Sequence, residues 1–169
     1  DLMKKSNEAI YHSSNFLYQD IEKITPNQGR TPKDTPQLLH NLINEYLDEK
    51  GIKTNRSNSI FGLKNYEYLY GFGEKPFVLF PINNASVLWF ENSDDLFLEL
   101  KKYFKENFNV KIKNLDNKII LNNKLKHIEF LNSLEPNTSL KEYFYNDNPD
   151  LEIMISSSIY VVKYDLFKT

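Results

Sequence analysis

The spacing of apolar residues divides the chain into helical and extended segments. In "PQLLHNLINEYLDEK" the leucines, Ile43 and Tyr46 recur three or four residues apart, which predicts an amphipathic helix that ends at Gly51. The segment "DLFLELKKYFKENF" predicts a second such helix, capped by Asp94 or Asp95. The short apolar runs "PFVLFPI" and "SVLWF", separated by two asparagines, predict buried strands.

The remaining segments complete an α+β pattern. Mixed periodicity over residues 6–20 predicts an N-terminal helix, and residues 56–61 predict a strand before a short helix, "NYEYLYG". The runs "NVKIKN" and "NKIILNN" predict a small β excursion. Helices are then expected at "LKHIEFLNSL" and "SLKEYFYN", followed by strands at "LEIMIS" and "SIYVVKYDLF". Because helices do not alternate regularly with strands, we expect α+β with a mostly antiparallel sheet.

Composition limits the class of protein. The 169 residues, 40% of them hydrophobic and 26% charged, are typical of one globular domain spanning residues 1–169. The chain has no cysteine, which removes disulfides, thiolate nucleophiles and cysteine-type zinc sites, and its three histidines are too scattered to predict a metal site. No apolar run approaches the length of a membrane span and the N-terminal segment is too polar for a secretion signal, so we expect a cytoplasmic protein without a membrane partner.

Charge adds little to the choice of partner. The net charge is −2 and the isoelectric point is near 6.0, so the chain as a whole has no attraction for nucleic acid, and we do not expect it as a partner. The segment "KKYFKENFNVKIKN" is mildly basic, with interleaved aromatic residues. We interpret it as a solvated helix face.

Familiar catalytic motifs are absent from the sequence. It contains no G-x-x-x-x-G-K-[ST], no G-x-G-x-x-G and no G-x-S-x-G, which argues against a P-loop, a Rossmann dinucleotide site and an α/β-hydrolase nucleophile. One pattern stands out: Asp150 and Glu152 lie two residues apart at the entrance to an apolar strand. Side chains at i and i+2 of a strand share a face, so two like charges would be held together there. The alternatives are a solvated strand end for Glu152 and a turn position for Asp150.

Three features in chain order resemble one enzyme family. Arg30 lies in a polar loop, "RSNSIF" carries Ser57 and Ser59, and the acidic pair leads into a late strand. This order resembles the arginine–serine–glutamate class of mono-ADP-ribosyltransferases. It is also similar to small phage-encoded proteins of this kind that carry "R-S-x-S-x-F", "Y-G", "F-P-I" and "E-I-M-I". The resemblance spans most of the chain from Arg30 onward, and it implies an ADP-ribosyltransferase-like fold with central sheets flanked by helices.

The resemblance implies catalytic roles for three residues. Glu152 would stabilise the oxocarbenium-like cation that forms when the nicotinamide–ribose bond of NAD breaks. Asp150 would orient or deprotonate the incoming nucleophile, and Ser57 would hydrogen-bond the Glu152 carboxylate. The chain departs from the family pattern in Asp150, where Gln or Glu is usual, and in Asn58, where the family has Thr.

The resemblance also implies binding residues, with NAD as substrate and no metal. Arg30 would pair with the NAD pyrophosphate, and Arg56 competes for that role, because a guanidinium group meets phosphate oxygens bidentately. The other cofactor-binding candidates are Ser59, Phe61 and Tyr70, and the substrate-recognition candidates are Tyr143 and Tyr145. The alternatives are surface charges for the arginines, an ordinary edge or turn position for the serines and core packing for Phe61.

The expected activity is transfer of ADP-ribose from NAD to a macromolecule, with release of nicotinamide. The acid-x-Glu pair favours an arginine side chain of a protein as acceptor, and a phage-encoded chain would act in the host cytoplasm. The alternative is a non-catalytic phage-type binding or structural protein that retains the same fold.

Overall fold

A computed structural model describes residues 9–15, 18–31, 34–67, 75–82 and 84–167. Within these ranges the chain forms an eight-stranded sheet in which every pairing is antiparallel, together with six α-helices. The predicted α+β class with a mostly antiparallel sheet is therefore confirmed.

The strands are β1 (Ile10–Ser14), β2 (Ile21–Ile24), β3 (Ile60–Leu63), β4 (Lys75–Pro81), β5 (Val87–Phe90), β6 (Pro136–Asn137), β7 (Glu152–Ile155) and β8 (Ile159–Lys163). The helices are α1 (Gln37–Glu49), α2 (Leu96–Phe108), α3 (Asn117–Asn122), α4 (Lys124–Ser133), α5 (Leu140–Tyr145) and α6 (Tyr164–Phe167). A 3₁₀ turn, Ile112–Asn114, lies between α2 and α3.

The sheet consists of two halves joined at one narrow contact. The strand order is β2-β8-β4-β1-β3-β7-β5-β6. Strands β1 and β3 share one register pair, Tyr11 with Leu63, whereas β1 and β4 share five. We call β2-β8-β4-β1 the first half-sheet and β3-β7-β5-β6 the second half-sheet. Because β1 and β3 are joined by few backbone hydrogen bonds, the two half-sheets can diverge at this contact.

Two apolar cores flank the second half-sheet. The first core gathers buried side chains from both half-sheets, among them Ile10, Phe77, Leu79, Val87, Trp89, Ile153, Ile155, Ile159 and Val161. The second core packs Leu88 and Met154 against the helices, with Leu39, Ile43 and Leu47 from α1 and Leu96, Leu100 and Phe104 from α2. Strand β7 contributes to both cores because its side chains alternate between the two faces.

Several predicted elements agree with the structure. The two amphipathic helices are α1 and α2, and Asp95 caps α2 by accepting hydrogen bonds from the amides of Phe97 and Leu98. The helices expected near residues 125–134 and 139–146 are α4 and α5, and the apolar runs form β4, β5, β7 and β8. In α1 and α2 the periodicity matches the face that becomes buried.

Three predicted elements are wrong. Residues 6–20 were expected to be helical, yet Ile10–Ser14 form β1, which lies between two other strands of the sheet. The expected β excursion after α2 is instead the 3₁₀ turn and α3, which Asp116 caps. The last strand stops at Lys163, and Tyr164–Phe167 form α6. Long-range sheet pairing and helix caps decided these segments against their local patterns.

Candidate functional site

Glu152 lies at the junction of a central strand and the start of α2. It is the first residue of β7 and pairs with Leu63 of the neighbouring strand β3. Its amide donates a hydrogen bond to the Asp94 carbonyl oxygen at 2.8 Å, which ties β7 to the segment that begins α2. Since Met154 on the same face belongs to the second core, the Glu152 side chain lies on the helix-covered face of the half-sheet. Glu152 is partly buried.

The surroundings of Glu152 favour its protonated form. Burial, and after it the Asp95 carboxylate, raise the pKa of the Glu152 carboxyl to about 8. The Arg56 and Arg30 guanidinium groups act in the opposite direction on this pKa. Among the residues that the structure describes, none makes a hydrogen bond or ion pair with the Glu152 carboxyl group. The carboxyl is therefore available to a ligand that brings positive charge, which would favour its ionised form.

Arg30 lies in the loop that follows β2, where its side chain is exposed. Its amide donates to the Ser57 carbonyl oxygen at 2.8 Å, and its guanidinium carbon lies 5.4 Å from the centre of the Phe61 ring. Gly29, with φ of +79°, allows the chain to turn immediately before it. These contacts hold the backbone of Arg30, and no group in the described part of the chain accepts a hydrogen bond from its five guanidinium donors.

Arg56 is held more firmly than Arg30. Its Nη1 donates to Thr35 Oγ1 at 2.9 Å, and its guanidinium carbon lies 5.5 Å from the centre of the Phe97 ring. Burial lowers the pKa of Arg56, and the carboxylates of Glu152 and Asp95 oppose that effect. Arg56 is thus a partly buried positive charge that faces the two carboxyl groups from a fixed position.

Ser57 does not contact the carboxyl group that was predicted for it. It lies in a turn before β3, and its Oγ forms a 2.5 Å hydrogen bond with Nε2 of His40, a buried residue of α1. Asn44 Nδ2 lies 3.2 Å from the same nitrogen. Burial, and then the Arg56 charge, lower the pKa of His40, so its imidazole is neutral near pH 7. The predicted Ser57–Glu152 hydrogen bond is wrong, because His40 engages the hydroxyl.

Ser59 is a structural residue of the same turn. Its side chain is buried, and its Oγ donates to the Asn55 carbonyl oxygen at 2.6 Å. The prediction that both serines belong to a strand is wrong, and cofactor binding by Ser59 stays a prediction. Phe61, in contrast, lies on β3 beneath Arg30 and packs against the second core, so it fits both its predicted role and core packing. The candidate Tyr70 lies outside the described residues.

Asp150 lies in a turn two residues before β7, in agreement with the alternative kept for it. Its amide donates to Asn148 Oδ1 at 3.0 Å, and its own Oδ1 accepts a hydrogen bond from Asn65 Nδ2 at 2.7 Å. Asn65 and Asp150 continue the register in which Leu63 opposes Glu152. Both acidic residues therefore occupy the same end of the β3–β7 pair, although only Glu152 is on the strand.

The two predicted substrate-recognition tyrosines have different environments. Tyr143 is fully buried, its hydroxyl donates to the Leu151 carbonyl oxygen at 2.9 Å, and its ring packs edge-to-face on Trp89. A side chain in this position cannot contact a partner, so the prediction for Tyr143 is wrong. Tyr145 is 59% exposed and remains a candidate.

Two histidines near the site were not predicted to belong to it. His40 occupies a buried position on the apolar stripe of α1, and a polar residue in such a stripe was the available signal. His12 lies on β1, where its Nδ1 forms a 2.8 Å hydrogen bond with the Phe61 carbonyl oxygen. Burial is the main cause that lowers the pKa of His12. No sequence pattern pointed to His12, since the pattern of its segment predicts a helix.

Comparison of the chain with the profiles of protein families, with curated proteins and with solved structures gives no match. In the described part of the chain, no group of three or more histidine and acidic side chains is placed to hold a metal ion. The helices of that same part include none with the length and hydropathy needed to cross a bilayer.

Proposed function

We propose that the chain is a mono-ADP-ribosyltransferase, with an ADP-ribosyltransferase-like fold, that moves ADP-ribose from NAD to an arginine side chain of a protein. The observation that carries this proposal is the environment of Glu152: a partly buried carboxyl group, without a partner among the described residues, in the field of Arg30 and Arg56. Such a group is suited to a positive charge that develops only during a reaction. The resemblance in the order of arginine, serine and acidic residues along the chain adds to this argument.

The proposed step breaks the bond between the ribose C1′ and the nicotinamide nitrogen. Nicotinamide leaves as a neutral molecule with the bonding electron pair, and positive charge spreads over C1′ and the ring oxygen of the ribose. The Glu152 carboxylate offsets this charge at the transition state. An acceptor nitrogen then forms the new bond to C1′ and loses its proton to a base.

The two arginines have separate roles in this proposal. Arg30 is exposed and its donors are open, so it would bind the NAD pyrophosphate bidentately. Arg56 has one donor engaged by Thr35 and lies against Phe97, so it would act as a fixed charge beside the ribose and phosphate oxygens. Phe61 supports the Arg30 guanidinium group through their 5.4 Å contact.

Asp150 would accept the proton from the acceptor. It shares one end of the β3–β7 pair with Glu152, and Asn65 fixes its carboxylate through one oxygen. The other oxygen is then available to a guanidinium group, which donates in pairs. This arrangement favours an arginine acceptor, because a carboxylate both attracts the guanidinium cation and takes its proton.

One observation favours the alternative, a non-catalytic binding or structural protein that retains this fold. The hydroxyl of Ser57 is engaged by His40 and one oxygen of Asp150 by Asn65, so two of the predicted catalytic groups have structural partners. Such a protein would bind a partner without turnover of NAD.

Labelled NAD distinguishes these two functions. The wild-type chain is incubated at pH 9 with NAD labelled in its adenylate half and a mixture of arginine-rich proteins, and label on protein and free nicotinamide are both measured. We expect both products, and we expect Glu152→Gln to reduce them by about 10²–10³, the usual effect of losing a preorganised electrostatic group. Glu106→Gln, an exposed position on α2, is the matched control and should behave as wild type. Absence of both products from the wild-type chain would leave only the binding protein.

A further inference from the structure

The outward face of α2 begins beside the candidate site and carries uncompensated positive charge. Helix α2 starts directly after Asp95, whose carboxylate raises the pKa of Glu152. Leu98, Lys101 and Lys105 follow one another at intervals of three or four residues and are exposed, with Leu98 56% exposed. Between residues 101 and 126 the chain has eight lysines and only two acidic residues, although its overall net charge is −2. This segment of the chain is therefore basic, although Lys124 within it pairs with Glu45 of α1 at 3.3 Å.

The positive charges form a stripe that starts at the site. Phe97 has the Arg56 guanidinium carbon 5.5 Å from its ring centre and the Lys101 ammonium nitrogen also at 5.5 Å. At the other end of α2, the ammonium nitrogen of Lys126 lies 5.0 Å from the centre of the Phe108 ring. Phe97 and Phe108 are three helical turns apart, about 17 Å at the usual helical rise. We call Arg56, Lys101, Lys105 and Lys126 the basic stripe.

The helix dipole accounts for Lys105, which lies in the last turn of α2, but not for Lys101 in the middle of the helix. Lys101 and Lys105 are four residues apart, a spacing at which like charges destabilise a helix by about 0.2–0.5 kcal/mol. In the described part of the chain neither makes an ion pair, and Lys105 donates only to the neutral Asn109 amide oxygen at 2.7 Å. Lys102, on the same helix, differs because Glu99 and Glu106 lie three and four residues away. It therefore provides a compensated lysine for comparison.

We propose that the face formed by Leu98 and the basic stripe docks an acidic surface of the protein that supplies the acceptor. The inference rests on the proposed function for the role of the partner, but docking itself needs no turnover. Charge complementarity points to a polyanion. An exposed leucine among the lysines favours a protein over a nucleic acid, because a phosphate backbone offers no apolar surface to Leu98. The rings of Phe97 and Phe108 carry cations at stacking distance, which leaves less of their surface for bases.

Binding of a fluorescent glutamate-rich peptide that contains one arginine tests the docking face without any reaction. Fluorescence anisotropy at low salt should show binding that weakens as salt is added. The double variant Lys101→Gln/Lys105→Gln should weaken it about tenfold, the combined effect of two exposed ion pairs at about 0.7 kcal/mol each. Lys102→Gln should stay within about twofold of wild type. A Leu98→Ser variant should also weaken binding of the peptide, but without changing the salt dependence of that binding.

Two results would overturn the docking face: an equal loss of binding in Lys102→Gln and in the double variant, or tighter binding of polyuridylate than of the acidic peptide. If the peptide binds as expected while NAD is not consumed, the proposed function fails and the docking face stands. If arginine transfer occurs but the double variant leaves the KM for the acidic peptide unchanged, the docking face fails and the proposed function stands.

Discussion

The two faces of β7 differ in what they present next to the candidate site. One face presents Ile153 and Ile155, both fully buried in the first core. The other presents Glu152, partly buried at the end of the second core, with two arginines and Asp95 nearby. Adjacent residues of one strand therefore have opposite effects on stability: Ile153 stabilises the fold by apolar burial, whereas Glu152 costs stability because its carboxyl group is held away from water.

This difference separates a position that stabilises the fold from one that costs stability. A buried apolar side chain at Glu152 would stabilise the fold more than a carboxyl group with a pKa of about 8. A costly group on a central strand is the kind of local inconsistency that is expected at functional sites. Substitutions on each face of β7 test this difference separately.

The largest effect on stability is expected from the apolar face. Ile153→Ala removes a fully buried side chain and leaves a cavity in the first core, which should lower the free energy of unfolding by about 2–4 kcal/mol. Urea denaturation at pH 7 measures this change. Glu152→Gln is the neighbouring control and should not reduce stability at this pH. Equal losses in both variants would show that the two faces do not differ as described.

A smaller effect is expected from the pH dependence of stability. Because the pKa of Glu152 is raised from 4.5 to about 8 by folding, the folded state retains this proton while the unfolded state loses it. The contribution of Glu152 to stability is therefore present at low pH, falls as pH rises from about 4.5 to about 8, and is constant above that.

Glu152→Gln should remove this decline. The free energy of unfolding of the variant, relative to that of wild type, should therefore increase by about 1–3 kcal/mol between pH 5 and pH 9. Urea midpoints of the two proteins at these pH values measure the gain, and Glu106→Gln should show none. His12 and His40, whose pKa values are lowered, affect both proteins equally and cancel in the difference. A constant difference at all pH values would mean that Glu152 titrates normally.

The smallest effect is expected in the turn that carries the arginines. Ser57 links α1, through His40, to the backbone of Arg30 and to its neighbour Arg56. Ser57→Ala removes a hydrogen bond with a typical net value of about 1 kcal/mol, so the KM for NAD should rise about fivefold with little change in kcat. Ser57→Thr keeps the hydroxyl and should restore the KM. A fall in kcat without a change in KM would instead favour a direct contact of Ser57 with the reacting groups.

The sequence predicted the elements whose burial follows a local period. The stripes of α1 and α2 were readable because each helix buries one face, and the runs of β4, β5, β7 and β8 were readable because most of their residues are apolar and buried. Strand β1 could not be read in this way. Its sequence "IYHSS" has one strongly apolar residue, and its extended form depends on pairing with β4, more than sixty residues away.

The site was predictable in part, for a similar reason. Glu152, Arg30 and Arg56 were identified from residue type and order, and the structure brings their charges together. The partners of Ser57, Asp150 and Tyr143 were not predictable, because each is set by a residue distant in the chain or by depth in the core. A hydroxyl or carboxylate can form hydrogen bonds with many kinds of partner, so residue type alone does not predict which partner it has.

The pH profile of nicotinamide release tests the central claim about Glu152 most directly. In kcat/KM, which reports the free protein, we expect a tenfold rise per pH unit that levels off near pH 8, where the carboxyl group becomes ionised. Glu152→Gln should lack this rise and remain about 10²–10³ below the wild-type plateau. A wild-type profile that is flat from pH 5 to pH 9, or a Glu152→Gln variant with wild-type rates, would contradict the account.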